Sequence, residues 1–114
     1  MRAEVLRGHL DGLLLATLEA GPAHGFAIMA QLRVRTGGSV DLEGGTLYPA
    51  LRRLEAAGLV TSAWTVVNSR RRREYHLTDQ GRTRLSTERR SWQEFAKAVT
   101  RGLQPANPAT APGH

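Results

Sequence analysis

Cysteine is absent from the 114-residue chain, which removes disulfides, thiolate zinc sites and cysteine nucleophiles together. Sulfur therefore places no constraint on compartment, and the cytoplasm is the default expectation. Long apolar runs are missing as well. The longest, Leu13 to Leu18, falls far short of the roughly 20 residues a spanning helix needs, and no basic flank and cleavage site make it a signal peptide. There is no Gly-rich phosphate loop, nucleophile elbow, metal-spaced histidine pair or acid pair with a cleft to sit in, so an enzyme is not expected. His9, His24, His76 and His114 are scattered without ligand-like spacing; a metal site would need convergence in space or across a dimer, and neither metal nor cofactor is expected.

What the chain does have is positive charge. Its 16 basic residues face 10 acidic ones, a formal net charge of +6, in 12.5 kDa of protein. All the cations but Lys97 are arginine, whose planar fork of donors suits phosphate and guanine edges. An Arg-, Ala- and Gly-rich vocabulary also follows from a GC-rich genome, so the bias alone leaves both readings open. Position is more telling. Residues 1–32 hold Arg2 and Arg7 against Glu4, Asp11 and Glu19, whereas residues 70–90 hold eight arginines against Glu74, Asp79 and Glu88, a local net of +5. Such a patch is the electrostatic footprint of a phosphate-binding surface. A domain this small buries only about two thirds of its unfolded surface, which makes dimerisation a common way to add core.

Leu6, Leu10, Leu13, Leu14 and Leu18 fall on one helical stripe, predicting a first helix from about Val5 to Ala20, closed by Gly21 and Pro22. A second runs from His24 or Gly25 to about Arg35, with Phe26, Ile28, Met29 and Leu32 as its apolar side. In the third, Leu47, Leu51 and Leu54 form a narrow stripe while Arg52 and Arg53 point away. Pro49 lacks an N–H and is tolerated in a first turn, so this helix is expected to begin near Thr46, which can cap it. After Gly58 the period changes to two. Leu59 to Val67, a turn at Asn68, Ser69 and Arg70, and a strand from Arg73 to Leu77 read as a β-hairpin with Arg70, Arg71, Arg72 and Arg73 at its tip. Thr78 then caps a last helix from about Asp79 to Arg101.

The fold class expected is mainly α with a small β-hairpin (α+β). Residues 1–78 are expected to form a winged helix-turn-helix DNA-binding domain, 79–103 a C-terminal dimerisation helix and 104–114 a disordered tail. In a winged helix the third helix enters the major groove and the hairpin lies along the backbone or minor groove, so the two basic elements would meet on one side. Each has a plainer reading: the arginine run as a solvated turn, Arg52 and Arg53 as the polar face of an amphipathic helix with Glu55 neutralising one of them, and Tyr48 as half-buried packing. Taken together they favour double-stranded DNA as partner, with a winged-helix protein-interaction module as the alternative.

The block from Gly44 to Glu55, GGTLYPALRRLE, resembles the signature helix of the PadR family of bacterial transcriptional regulators. His24-Gly25-Phe26, Gly58-Leu59-Val60, Trp64, Tyr75-His76-Leu77-Thr78 and Gly81 follow in the family's order, and the similarity covers about residues 10–82. Phe26 and Glu74 depart from the residues usual at their positions. The resemblance implies a homodimeric repressor of an inverted-repeat operator, released by a small effector, and matches the short subgroup with a single C-terminal helix. Carried over by position, Thr46, Tyr48, Pro49, Arg52 and Arg53 belong to the recognition helix and Arg70 to Arg73 to the wing.

Leu85, Trp92, Phe95, Ala96, Val99 and Leu103 lie close to a seven-residue seam on the last helix. That seam is the expected homodimer interface, setting half-sites one helical turn, roughly 34 Å, apart. Two readings fit Trp92 and its neighbour Phe95. They are interface packing, or, as the short subgroup implies, they line a pore between subunits that takes a small, flat hydrophobic effector. No membrane partner is expected.

Overall fold

The computed structural model describes Leu6 and residues 8–106. Within these residues the chain forms α1 (Leu10–Glu19), β1 (Ala23–His24), α2 (Gly25–Arg35), α3 (Gly44–Ala56), β2 (Val60–Val67), β3 (Arg70–Leu77) and α4 (Asp79–Gly102). This is the expected mainly helical winged helix-turn-helix, with one addition. Ala23 and His24 pair with Tyr75 and Glu74 of β3, making the hairpin a three-stranded antiparallel sheet in the order β1-β3-β2.

The core is leucine-rich. Leu14, Leu15 and Leu18 of α1, Ile28 and Leu32 of α2, and Leu47, Leu51 and Leu54 of α3 close on one another, with Val60, Tyr75 and Leu77 supplying the sheet face. Val40 and Leu42 alternate with exposed Ser39 and Asp41, pinning the link between α2 and α3. Thr36 ends α2: its hydroxyl donates to the Leu32 carbonyl at 2.8 Å and accepts from the Val40 N–H at 3.0 Å. Phe26, expected on the buried side of α2, is 73% exposed. Two residues on a helix turn about 200°, so placing Ile28 inward puts Phe26 outward.

Three boundaries differ from expectation. The first helix does not run unbroken to Ala20, because Gly8 at φ +90° interrupts it and α1 begins at Leu10; Val5 lies outside the described residues, as does most of the tail, 107–114. The third helix begins at Gly44, with Glu43 at the cap position, so Thr46 sits inside the first turn and Pro49 is an interior residue. The N–H that Pro49 lacks would have gone to the Gly45 carbonyl; packing of Leu47, Ala50, Leu51 and Leu54 outweighs that lost bond. Finally, the hairpin turn is Asn68 and Ser69 alone. Both take positive φ, 51° and 64°, the tight type I′ geometry that matches strand twist. Arg70 pairs with Val67, so the arginines belong to β3 and not to the tip.

Serine in the left-handed region is costly where glycine is not. Ser69→Gly is expected to stabilise the wing by about 0.5–1 kcal/mol, read as a small rise in denaturation midpoint; an unchanged or lowered midpoint would show the turn to be unstrained.

At the start of α4, the Thr78 hydroxyl accepts from the Gly81 N–H at 2.9 Å and donates to the Gly58 carbonyl at 2.7 Å. The helix then crosses α1. Gly12 opposes Glu88 closely, and Arg89 donates to both carboxylate oxygens of Glu19 at 2.9 and 3.0 Å. That pairing holds the Glu19 carboxyl below its ordinary range. Its contribution is therefore lost as pH falls through that lowered value.

Candidate nucleic-acid interface

All five recognition-helix candidates, Thr46, Tyr48, Pro49, Arg52 and Arg53, are exposed on α3. The Tyr48 ring nevertheless packs on one side against the backbone of Gly25 and Gly44. A Cβ at position 25 would sit 2.7 and 2.8 Å from ring carbons Cε1 and Cζ. The ring thus seats α3 on the start of α2, with its rim left to solvent. Arg53 pairs with Asp11 of α1, which ties one of the two arginines to the scaffold. Arg52 has no hydrogen bond or ion pair among the described residues.

In the wing, strand alternation splits the arginine run. Arg71 and Arg73 share a face with Trp64, Ser62, Tyr75 and Leu77, the face against which α3 packs; Arg70 and Arg72 take the other face with Glu74 and His76. On the first face, Arg71 and Arg73 lie over the Trp64 ring, and the Arg73 Nε donates to Ser62 Oγ at 2.8 Å. Ser62 Oγ in turn lies 2.9 and 2.8 Å from the two carboxylate oxygens of Glu55. Glu55 therefore neutralises neither arginine of its own helix and instead ties α3 to the wing. On the second face, Arg72 Nη1 approaches His24 Nε2 at 3.3 Å, and His76 Nε2 lies 3.1 Å from Glu74.

Tyr75, on the α3 side of the sheet, is a buried residue. Burial pushes the pKa of its hydroxyl up, and the field of Arg73 pulls it partly back. Glu55, Tyr48 and Arg52 act weakly on the same hydroxyl. Ser62, Glu55 and Trp64 were not candidates in the sequence; numbering the ladder outward from a two-residue turn pairs Trp64 with Arg73 and would have found it.

Away from the wing residues, α1, the stretch after α2 and α4 border a groove of about 650 Å³, lined in part by His9, Leu13, Val40, Trp92 and Phe95. The His9 and Trp92 rings meet edge-on at 5.1 Å, and Trp92 and Phe95 are 5.8 Å apart. Leu85, the first seam candidate, is 2% exposed and packs in the core of its own chain. Trp92, Phe95, Val99 and Leu103 stay exposed, with Ala96 half-covered between them. Among the described residues no cluster of three or more His, Asp or Glu could hold a metal ion, His114 lying outside them. No helix among them is long and apolar enough to cross a membrane.

Residues 14–87 match the family described as Transcriptional regulator PadR-like family. The transcriptional regulator Rv3488 of Mycobacterium tuberculosis is 50% identical over 58 residues, 51% of this chain and 54% of that protein, so the match spans about half of the relative's length. Among solved structures, a PadR family transcriptional regulator from Eggerthella lenta is 34% identical with a TM-score of 0.79, covering 90% of this chain and 88% of that one. A transcriptional regulator from Clostridium thermocellum reaches a TM-score of 0.82 at 26% identity, over 90% of this chain and all of the other.

Proposed function

The chain belongs to the PadR-like family of transcriptional regulators, and from that premise we propose that it is a homodimeric, cytoplasmic repressor that binds an inverted-repeat operator and releases it on binding a small hydrophobic effector. The observation that carries the DNA contact is the tie between α3 and the wing: Glu55 of α3 meets Ser62, which accepts from Arg73 on the wing face that also bears Arg71, while Arg52 stands exposed on the same helix. Thr46 and Pro49 are exposed on α3 as well, Tyr48 seats the helix, and Arg53 lies one residue on, turned toward Asp11.

The second copy is proposed to cover Trp92, Phe95, Ala96, Val99 and Leu103. An exposed row of this kind on a helix of 24 residues is the sort of face that a C2 partner buries. The groove beside it falls in the volume range of small-molecule sites, and the edge-on rings of His9 and Trp92 with Phe95 suit a flat, apolar effector. No catalytic role is proposed.

The test is a mobility shift on the DNA upstream of the chain's own gene, titrated with salt. Two chains are expected per duplex, and affinity is expected to fall steeply as salt rises, because neutralised phosphates release counterions. A flat salt response would point instead to a winged-helix protein-interaction module.

A further inference from the structure

Trp64 stands in the middle of β2 with 56% of its surface exposed and no place in the core. Burial therefore does not explain a residue this large at this position. Its surroundings do. Arg73 is its direct partner across the ladder, and Arg71 is its diagonal neighbour on the same face. The guanidinium carbons of Arg71 and Arg73 lie 4.7 and 5.2 Å from the ring centroid, both inside the roughly 6 Å reach of a cation–π contact. Arg73 is held a second time by Ser62, and through it by Glu55 of α3. One chain of contacts thus runs from Arg71 through Trp64 and Arg73 into α3.

We propose that Trp64 is a positioning residue for DNA binding, holding Arg71 and Arg73 on the α3 side of the wing so that both guanidiniums meet the backbone preordered. The proposal rests on the DNA-binding reading above. A guanidinium stacked on a ring spends its face and keeps its in-plane N–H donors, which are the ones a phosphate accepts. Two flexible side chains confined by one ring lose less freedom on contact than two that move independently.

The experiment is a double-mutant cycle read by mobility shift, using full-length chain across a salt series. Trp64→Ala is expected to weaken binding at fixed salt by about five- to thirtyfold for each chain on the duplex, the combined worth of two exposed cation–π contacts. The slope of log affinity against log salt should not change, because no charge is removed. Trp64→Phe, which keeps a π face, should recover most of the loss; Trp64→Leu, which keeps bulk without one, should not. In an Arg71→Ala/Arg73→Ala background, Trp64→Ala should cost nothing further. Wild-type affinity in Trp64→Ala, or Leu rescuing as well as Phe, would overturn the inference. So would the full loss persisting without the two arginines, since Trp64 would then touch DNA itself. If the unaltered chain bound no DNA, the functional reading would fall and this one with it; binding that is indifferent to Trp64 removes this one alone.

Discussion

Replacing Arg70, Arg71, Arg72 and Arg73 together with alanine is expected to lower affinity for operator and random duplex alike, by about 10³ at physiological salt for each wing that meets the duplex. The figure follows from counterion release: if each arginine neutralises one phosphate, the slope of log affinity against log salt shallows by about 3.6 per wing, hence about 7.2 for two chains on one duplex, and extrapolating to 0.15 M gives roughly that loss per wing. All four lie on an exposed part of the ladder, with only Arg72 partly covered, so the fold should survive, as far-UV circular dichroism would check. The alternation in β3 refines the expectation. Arg71→Ala/Arg73→Ala removes the pair on the α3 side and should carry the larger share of the loss, while Arg70→Ala/Arg72→Ala removes the pair on the far face. A quadruple variant with an unaltered salt slope would show that the wing does not meet the backbone.

The second large effect concerns stability. In Gly81→Ala the added methyl would fall on the Leu59 carbonyl oxygen and lie 2.6 Å from Leu77 Cδ1. A flexible side chain could move aside; a backbone carbonyl that already accepts from the Thr78 N–H at 3.2 Å cannot do so without loosening the joint between β2, β3 and α4. A destabilisation of about 3 kcal/mol or more is expected, at the upper end for overpacking. For a domain of this size it lowers the melting temperature by ~10–20 °C. Gly102→Ala is the control, because nothing lies within 4 Å of a Cβ there. A Gly81→Ala variant melting within a degree or two of the unaltered chain would show that α4 shifts freely at its base.

Elements with many turns of one period were legible in the sequence, and short or shared ones were not. The leucine stripe of α1 and the change of period after Gly58 place their elements within a few residues. Ala23 and His24 show no period at all, because two residues become a strand only through the ladder that Tyr75 and Glu74 supply. Pro49 misled for a different reason. Its missing N–H argues for a helix start near Thr46, but four buried residues between Leu47 and Leu54 hold the interior proline in place. At the candidate interface, residue types and charge were readable, while partnerships were not. Nothing in the spacing says that Arg53 meets Asp11, that Glu55 reaches Ser62, or that a run of four arginines divides between two faces. The last of these follows only once the turn is known to contain two residues. Leu85 shares a period with Trp92, and only packing assigns it to the core of its own chain.

The uncovered row on α4 has a consequence for dosage. If occupancy of an operator requires two chains joined along that row, the bound fraction at low abundance varies with the square of chain concentration, not in proportion to it. Halving the number of molecules per cell would then empty about three quarters of the sites occupied in that regime. A regulator built this way responds to its own copy number as a threshold, and a repressor acting on its own gene would settle near that threshold.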